Sequence, residues 1–178
     1  MFSDAFKNMG LKDFFKLALS IAISTAAGFI GSLFTTPAVP GWYAGLIKPW
    51  LNPPGWLFGP VWTLLYILMG LAAFIIWQRD SARGWWLWWK KSHFKRETRI
   101  ALGLFLIQLI LNALWSVLFF GRQNPGAAFI GIIFLWLAIF LTILAFYRIY
   151  RPAAWLLLPY ILWVSFAAYL NAGIWLLN

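Results

Sequence analysis

Five long apolar stretches dominate the chain, and short polar segments separate them. Each stretch is close to the about 20 apolar residues that an α-helix needs to cross a bilayer core. Strands of a membrane β-barrel would be shorter and would alternate polar with apolar side chains. The pattern therefore predicts an all-α, polytopic membrane protein, a single domain over residues 1–178 that forms a five-transmembrane-helix bundle. The predicted helices cover residues 14–34, 56–77, 100–120, 127–147 and 153–177.

Composition supports the membrane assignment and excludes several kinds of chemistry. Of the 178 residues, 63% are hydrophobic and only 10% are charged, whereas soluble domains carry about 45–50% apolar and about 25% charged residues. There is no cysteine, and the single histidine, His93, lies in a basic segment. Disulfides, thiolate metal sites and cysteine nucleophiles are therefore excluded. No metal site and no required cofactor are expected.

The basic residues are distributed unevenly between the two ends of the predicted helices. The chain has 14 Lys and Arg against 4 Asp and Glu. Of the 14 basic residues, all except Lys48 and Arg122 fall on the side of the membrane that carries the N-terminus. By the positive-inside rule, the N-terminus is predicted inside and the C-terminus outside. Basic residues beside the membrane fit anionic lipid headgroups, so nucleic acid is not an expected partner. The expected host is a bacterial cell membrane.

Two segments allow alternative interpretations. The first span has the lysines and small residues of a cleaved signal peptide. However, Ser20, Ser24, Gly28 and Ser32 recur at four-residue spacing, which favours a retained helix that packs closely against its neighbours. The tryptophan-rich stretch 85–89 is predicted to anchor the chain at the membrane interface, and a docking element for a lipid or partner is its alternative.

The first outer loop, residues 35–56, is rich in proline and aromatic residues. Proline fixes φ and removes a hydrogen-bond donor, so a defined, non-helical shape is predicted, with the rings at the interface or at the mouth of a pocket. Asn52 and Pro53 resemble a capped start of the second helix. Lys48 is a candidate partner for the carboxylates of a ligand, and its alternative is a solvated lysine.

Three helical faces combine aromatic and neutral polar side chains. Amides that face lipid lose hydrogen bonds, so Gln108 and Asn112 are predicted to point inward, either as interhelical hydrogen bonds or as a polar stripe in a pocket. Such a pocket suits a flat, apolar molecule such as a tetrapyrrole or a sterol. Haem ligation through iron is disfavoured, with Tyr43 as the conceivable axial ligand. The faces comprise Trp62 and Tyr66; Gln108, Asn112, Trp115, Ser116 and Phe119; and Pro159, Trp163, Ala167 and Leu170.

These motifs and their order along the chain resemble those of the TspO/translocator protein family, also called the peripheral benzodiazepine receptor or tryptophan-rich sensory protein family. The resemblance covers almost the whole chain. It rests on Trp42-Tyr43, Lys48-Pro49-Trp50, Asn52-Pro53-Pro54-Gly55-Trp56, Val61-Trp62-Thr63-Leu64-Leu65-Tyr66, Gln108, Asn112-Ala113-Leu114-Trp115, Phe119-Phe120-Gly121, Ala154 to Trp163, Phe166-Ala167 and Tyr169-Leu170-Asn171.

The resemblance implies a five-helix bundle, often a homodimer, whose first loop acts as a lid over a pocket for porphyrins, cholesterol and synthetic drugs. It also implies that Trp62 and Trp163 take part in light-dependent oxidative degradation of protoporphyrin IX. The implied ligand-binding residues are Tyr43, Pro53, Trp62, Tyr66, Asn112, Trp115, Ser116, Trp163, Ala167 and Leu170.

The sequence departs from the family pattern at two places. Many relatives have acidic residues where this chain has Ala44 and Ile47, so closure of the first loop is expected to depend on packing. No basic residue follows Tyr169, which weakens any cholesterol motif, itself a hypothesis-grade pattern.

Three functions are compatible with the sequence. The first is a membrane receptor or carrier for porphyrins (protoporphyrin IX, with haem as a further candidate) and other flat hydrophobic ligands, with a sensory, regulatory or transport role in tetrapyrrole handling. The second is a light-dependent porphyrin-degrading oxidase that uses Trp62 and Trp163. The third is a structural or regulatory partner of another membrane protein. In the first two, the porphyrin is a ligand or substrate and no further cofactor is required.

Overall fold

The computed structural model describes residues 10–81 and 88–178, with side chains described for 10–79 and 95–178. Within these ranges the chain is helical and contains no strand. Five described helical segments are long and apolar enough to cross a membrane, so the predicted all-α, five-helix architecture is confirmed. The first four spans contain α1 Leu11–Ala38, α2 Phe58–Ser81, α3 Trp88–Ser116 and α4 Pro125–Ile149. The fifth span, Arg151–Leu177, consists of a short helix, α5 Arg151–Trp155, and a long one, α6 Leu158–Leu177.

The first helix is longer than predicted. A π-helical segment, Val39–Tyr43, continues α1, and Ala44 and Gly45 are also helical, so the predicted non-helical shape of the first loop is wrong for residues 35–45. Proline is tolerated in membrane helices where hydroxyl side chains and local π turns satisfy the freed backbone groups. Here Val39 N–H still donates to the carbonyl of Thr35, and the Thr35 hydroxyl donates to the carbonyl of Gly31 at 3.0 Å.

The predicted cap at Asn52 and Pro53 is also wrong. The second span begins three residues after Asn52 with a 3₁₀ turn, Gly55–Leu57, in which Leu57 N–H donates to the carbonyl of Pro54 at 3.0 Å. Asn52 does not cap this helix because its Oδ1 accepts a hydrogen bond from the Tyr43 hydroxyl at 2.9 Å. The loop that remains between the first two spans is segment 44–54.

The spans are arranged in a ring. Helix α1 packs against α2 and α3, α3 against α4, and α4 against α5 and α6, while α2 contacts α5 and, less extensively, α6. Small residues bring α1 and α2 together, since a Cβ at Gly70 would lie 2.6 Å from the Cα of Ile21. The predicted packing face of α1 is buried at Ser20 and Ser24, while Ser32 is exposed. Helix α1 is therefore an integral part of the bundle.

The interior differs between the two ends of the bundle. At the end where α2 finishes, large side chains are fully buried and fill the centre, among them Phe74, Phe146 and Tyr160. At the end that carries segment 44–54, the helices enclose a cavity. The filled end holds the bundle together, and the cavity end is the candidate site.

Cations and aromatic rings meet at the filled end. Lys16 Nζ lies 5.7 Å from the centroid of the Trp77 ring, and the Arg79 guanidinium lies 3.8 Å from that of Tyr150. These contacts bring the start of α1 and the ends of α2 and α4 to the same end of the bundle. The predicted assignment of the basic residues to one side of the membrane requires this arrangement. Which end faces the cytosol stays a prediction. The stretch 85–89, predicted as an interfacial anchor, lies outside the residues whose side chains are described.

Candidate ligand pocket

The cavity has a volume of about 640 Å³, within the range of about 300–1,000 Å³ that small-molecule pockets occupy. Four spans contribute to its wall, and the π-helical segments after α1 and α3 lie at its loop end. Among the described residues that line it, none carries a charge. The lining comprises Thr25, Gly28, Phe29, Gly31, Ser32, Thr35, Thr36, Val39, Pro40, Tyr43, Gly55, Phe58, Gly59, Trp62, Thr63, Tyr66, Asn112, Trp115, Ser116, Phe119, Phe120, Trp163, Ala167, Leu170, Asn171 and Ile174.

Most of the residues predicted to bind a ligand lie on this wall. The exception is Pro53, which is half-buried in segment 44–54 and does not line the cavity. Its neighbour Asn52 turns toward Tyr43, and the chain reaches the cavity again only at Gly55. The predicted residues found on the wall are Tyr43, Trp62, Tyr66, Asn112, Trp115, Ser116, Trp163, Ala167 and Leu170.

The contribution of the first helix to the wall was not predicted. Hydroxyl side chains of α1 and α2, such as Thr25, Ser32 and Thr63, line the cavity. Each donates to a carbonyl of its own helix. A hydroxyl that is satisfied in this way can face either a pocket or lipid, so its position in the sequence did not predict which of the two it faces. Asn171 was also missed, although it lies four residues after Ala167 on the face already identified in α6.

Two stacked aromatic pairs form part of the wall, one on α2 and one where α3 continues into its π-helical segment. The Trp62 and Tyr66 rings stack with centroids 5.5 Å apart and an interplanar angle of 26°. The Trp115 and Phe119 rings stack at 5.2 Å and 25°. Stacked aromatic pairs stabilise each other by about 0.5–1.5 kcal/mol beyond burial, so these rings are held in place before any ligand binds.

A hydrogen-bonded chain of side chains runs from the pocket into the core. The Tyr66 hydroxyl donates to Asn112 Oδ1 at 2.7 Å, and Asn112 Nδ2 donates to the Tyr160 hydroxyl at 3.1 Å. The Tyr160 hydroxyl in turn donates to Gln108 Oε1 at 2.9 Å. Gln108 does not line the cavity, so it makes interhelical hydrogen bonds only. Asn112 does both, since it links helices and lines the pocket.

A second buried amide orients Trp115. The indole Nε1 of Trp115 donates to Asn171 Oδ1 at 3.0 Å, and Asn171 Nδ2 donates to the carbonyl of Pro125 at 2.7 Å. By contrast, the indole Nε1 of Trp163 is buried and has no hydrogen-bond partner in the described part of the chain. Buried donors are paired in most proteins, which makes this indole a notable feature of the wall.

Lys48 and Tyr43 are engaged within the loop. Lys48 Nζ donates to the carbonyls of Ala44 and Leu46 at 3.2 and 3.1 Å, and it lies 4.9 Å from the centroid of the Tyr43 ring. Lys48 does not line the cavity. The Tyr43 hydroxyl donates to Asn52, and no cluster of three or more His, Cys, Asp or Glu occurs among the described residues. The Tyr43 hydroxyl is therefore engaged with Asn52, and Lys48 is engaged with the backbone of its own loop.

Fold and site together define an integral, multi-pass membrane protein with an internal aromatic pocket. A family model described as the TspO/MBR family matches residues 20–176. The chain is 47% identical over 167 residues to the tryptophan-rich protein TspO of Chlorobaculum tepidum, covering 94% of this chain and 98% of the relative. It is 34% identical over 159 residues to the translocator protein of Homo sapiens, covering 89% and 88%. The chain belongs to the TspO/MBR family.

Proposed function

We propose that this protein is a membrane receptor or carrier for porphyrins, such as protoporphyrin IX and haem, and for other flat hydrophobic molecules. The observation that carries the proposal is the uncharged cavity of about 640 Å³ with Trp62 and Trp163 on its wall. A planar guest buries both of its faces against such rings, and the burial of apolar surface drives binding.

Neutral polar groups of the wall would set the orientation of the guest. Asn112 is held by Tyr66 and Tyr160, so its position is fixed before binding. The unpaired indole N–H of Trp163 is a donor for an acceptor atom of the ligand after a small rotation of the ring. Relatives carry the names translocator protein and tryptophan-rich sensory protein, which supports a transport or a sensory role; that the ligand is a tetrapyrrole is proposed from the pocket alone. The partners in this proposal are the ligand, the bilayer and a second copy of the chain.

The test is an equilibrium titration of the purified protein with protoporphyrin IX, followed by porphyrin absorbance so that removing an indole does not remove the signal. Trp62→Phe and Trp163→Phe are each expected to weaken binding by about 2- to 12-fold, because the smaller phenyl ring covers less of the guest and costs about 0.5–1.5 kcal/mol of apolar contact. Trp136→Phe is the matched control, because Trp136 bonds to Ser165 and does not line the cavity. Equal affinities for all four proteins would refute the proposal.

Light-dependent oxidation of the bound porphyrin by dioxygen is a second candidate function. It is favoured by the Trp62 ring, which stacks on Tyr66 at the wall and so presents an oxidisable indole to the guest. Under illumination in air, the wild type is expected to convert protoporphyrin IX faster than the Trp62→Phe, Trp163→Phe double variant at equal occupancy. Equal rates of porphyrin loss would remove this function and leave the receptor function intact.

A further inference from the structure

The wall of the pocket is buried on one side and exposed on the other. On the side of α3 and α6, Asn112 is 3% exposed, and Leu170 and Asn171 are similarly buried. On the side of α1, Phe29 is 67% exposed although it lines the same cavity. The other exposed lining residues lie on α1, on α2 and on the short helical segments next to them; they are Ser32, Thr36, Val39, Pro40, Gly55, Gly59 and Thr63.

The exposed side coincides with a divergence of α1 from α2. As far as Gly28, α1 contacts α2, and Gly28 itself lies against the Tyr66 ring. Further along, α1 lies against α3 instead, since a Cβ at Gly31 would be 2.9 Å from Ser116 Oγ. On α2, a Cβ at Gly59 would meet no atom within 4 Å. The two helices therefore separate at the level of the cavity and leave a gap between them.

The rims of this gap are compatible with lipid. Polar groups that face a bilayer must be satisfied internally. The Thr25 hydroxyl donates to the carbonyl of Ile21 at 2.9 Å, and the Thr63 hydroxyl donates to that of Gly59 at 2.9 Å. The Ser32 hydroxyl likewise donates within α1, at 2.7 Å. An apolar molecule can pass these rims without leaving a buried donor unpaired.

Segment 44–54, in contrast, is fastened to the end of α6. Ile47 N–H donates to Asn178 Oδ1 at 3.0 Å, and Asn178 Nδ2 donates back to the Ile47 carbonyl at 3.1 Å. Pro49 packs against Gly173, where a Cβ would lie 3.0 Å from the Cβ of Pro49. These contacts hold the segment across the loop end of the bundle from both its backbone and its side chains.

We infer that ligands reach the pocket from the bilayer through the gap between α1 and α2, while segment 44–54 stays fastened to the end of α6. The inference rests on the proposed function, and it specifies the ligand class further. The guest is a flat molecule that partitions into the membrane before it binds.

The first experiment fixes segment 44–54 to α6 with a disulfide. The chain has no cysteine, so Pro49→Cys with Gly173→Cys introduces one defined pair, and its Cβ separation is close to the about 3.5–4.5 Å of a disulfide. The oxidised protein, reconstituted in liposomes that contain protoporphyrin IX, is expected to bind it at a rate within 2-fold of the reduced protein. A slowing of 10-fold or more that dithiothreitol reverses would overturn the inference, as would failure of the disulfide to form without ligand.

The second experiment narrows the gap. Gly59→Phe is expected to slow both association and dissociation of protoporphyrin IX by 10-fold or more, because the added ring occupies the route. Gly103→Phe on α3 is the matched control, since a Cβ there also meets nothing within 4 Å and Gly103 does not line the cavity. A substitution that merely damaged the pocket would speed dissociation, so unchanged or faster dissociation from Gly59→Phe would overturn the inference.

The two proposals fail in different ways. If the wild type does not bind protoporphyrin IX at equilibrium, the proposed function fails, and the route fails with it. If the wild type binds and Trp62→Phe weakens binding, but Gly59→Phe exchanges ligand as fast as the wild type, only the route fails.

Discussion

Removal of the Tyr160 hydroxyl tests whether the buried polar chain stabilises the bundle. Tyr160 is 0% exposed, and its hydroxyl accepts from Asn112 Nδ2 at 3.1 Å and donates to Gln108 Oε1 at 2.9 Å. Tyr160→Phe keeps the ring and deletes both hydrogen bonds. Interhelical hydrogen bonds in membranes contribute about 0.6 kcal/mol on average and up to about 1.7 kcal/mol. The free energy of unfolding is therefore expected to fall by about 1–3 kcal/mol.

The assay is reversible unfolding in mixed micelles as the mole fraction of denaturing detergent increases. Tyr169→Phe is the matched control, because Tyr169 is exposed and its hydroxyl has no hydrogen bond in the described part of the chain. The free energy of unfolding of that variant is expected to lie within about 0.5 kcal/mol of the wild-type value, as is usual for substitutions at the surface. A Tyr160→Phe variant as stable as the control would refute the reasoning.

A double-mutant cycle separates the hydrogen bond from general effects of each substitution. Gln108→Leu removes the acceptor of the Tyr160 hydroxyl. If the two residues interact as the structure describes, the double variant is less destabilised than the sum of the single variants by about 1 kcal/mol. Strict additivity would show that the contact contributes nothing measurable.

Three further predictions concern packing and the loop. Gly28→Ala is expected to lower the free energy of unfolding by about 1–3 kcal/mol, because the methyl group pushes a tyrosine ring of the pocket wall; Gly103→Ala is the control, and equal stabilities would contradict the prediction. Asn171→Leu leaves the Trp115 indole N–H without its acceptor and is expected to lower the free energy of unfolding by about 1–3 kcal/mol in the same assay. A variant as stable as the wild type would contradict this prediction. Asn178→Ala is expected to speed amide hydrogen exchange in segment 44–54, since that residue binds its backbone, and unchanged exchange would show that the segment is held elsewhere.

The sequence predicted the spans because their signal is local. Twenty consecutive apolar residues have few alternatives to a membrane helix, and side chains four residues apart share a helical face. Trp62 with Tyr66, and Asn112 with Ser116, were therefore placed together correctly on the wall.

What the sequence did not predict depends on tertiary contacts or on cooperative backbone geometry. The prolines suggested that α1 stops near Phe34, but a π turn and a threonine hydroxyl carry it to Tyr43. Asn52 looked like a helix cap because the competing hydroxyl of Tyr43 cannot be seen from local spacing. The absence of acidic residues at Ala44 and Ile47 predicted that closure of the first loop depends on packing.

The loop is in fact held by hydrogen bonds as well as by packing. Asn178 binds the backbone of Ile47 from 131 positions away, a separation at which no periodicity carries information. The involvement of α1 in the pocket was missed for a related reason. Serine and threonine occur in membrane helices both at packed interfaces and beside cavities, so Ser32 was assigned to packing.

The central claim is that inward-facing aromatic rings enclose a slot that holds a planar guest. The most direct measurement is an experimental structure of the protein with protoporphyrin IX bound. The account predicts one macrocycle per chain inside the bundle, between Trp62 and Trp163 and beneath segment 44–54. A macrocycle on the lipid-facing surface, with the interior slot empty at saturating ligand, would contradict it.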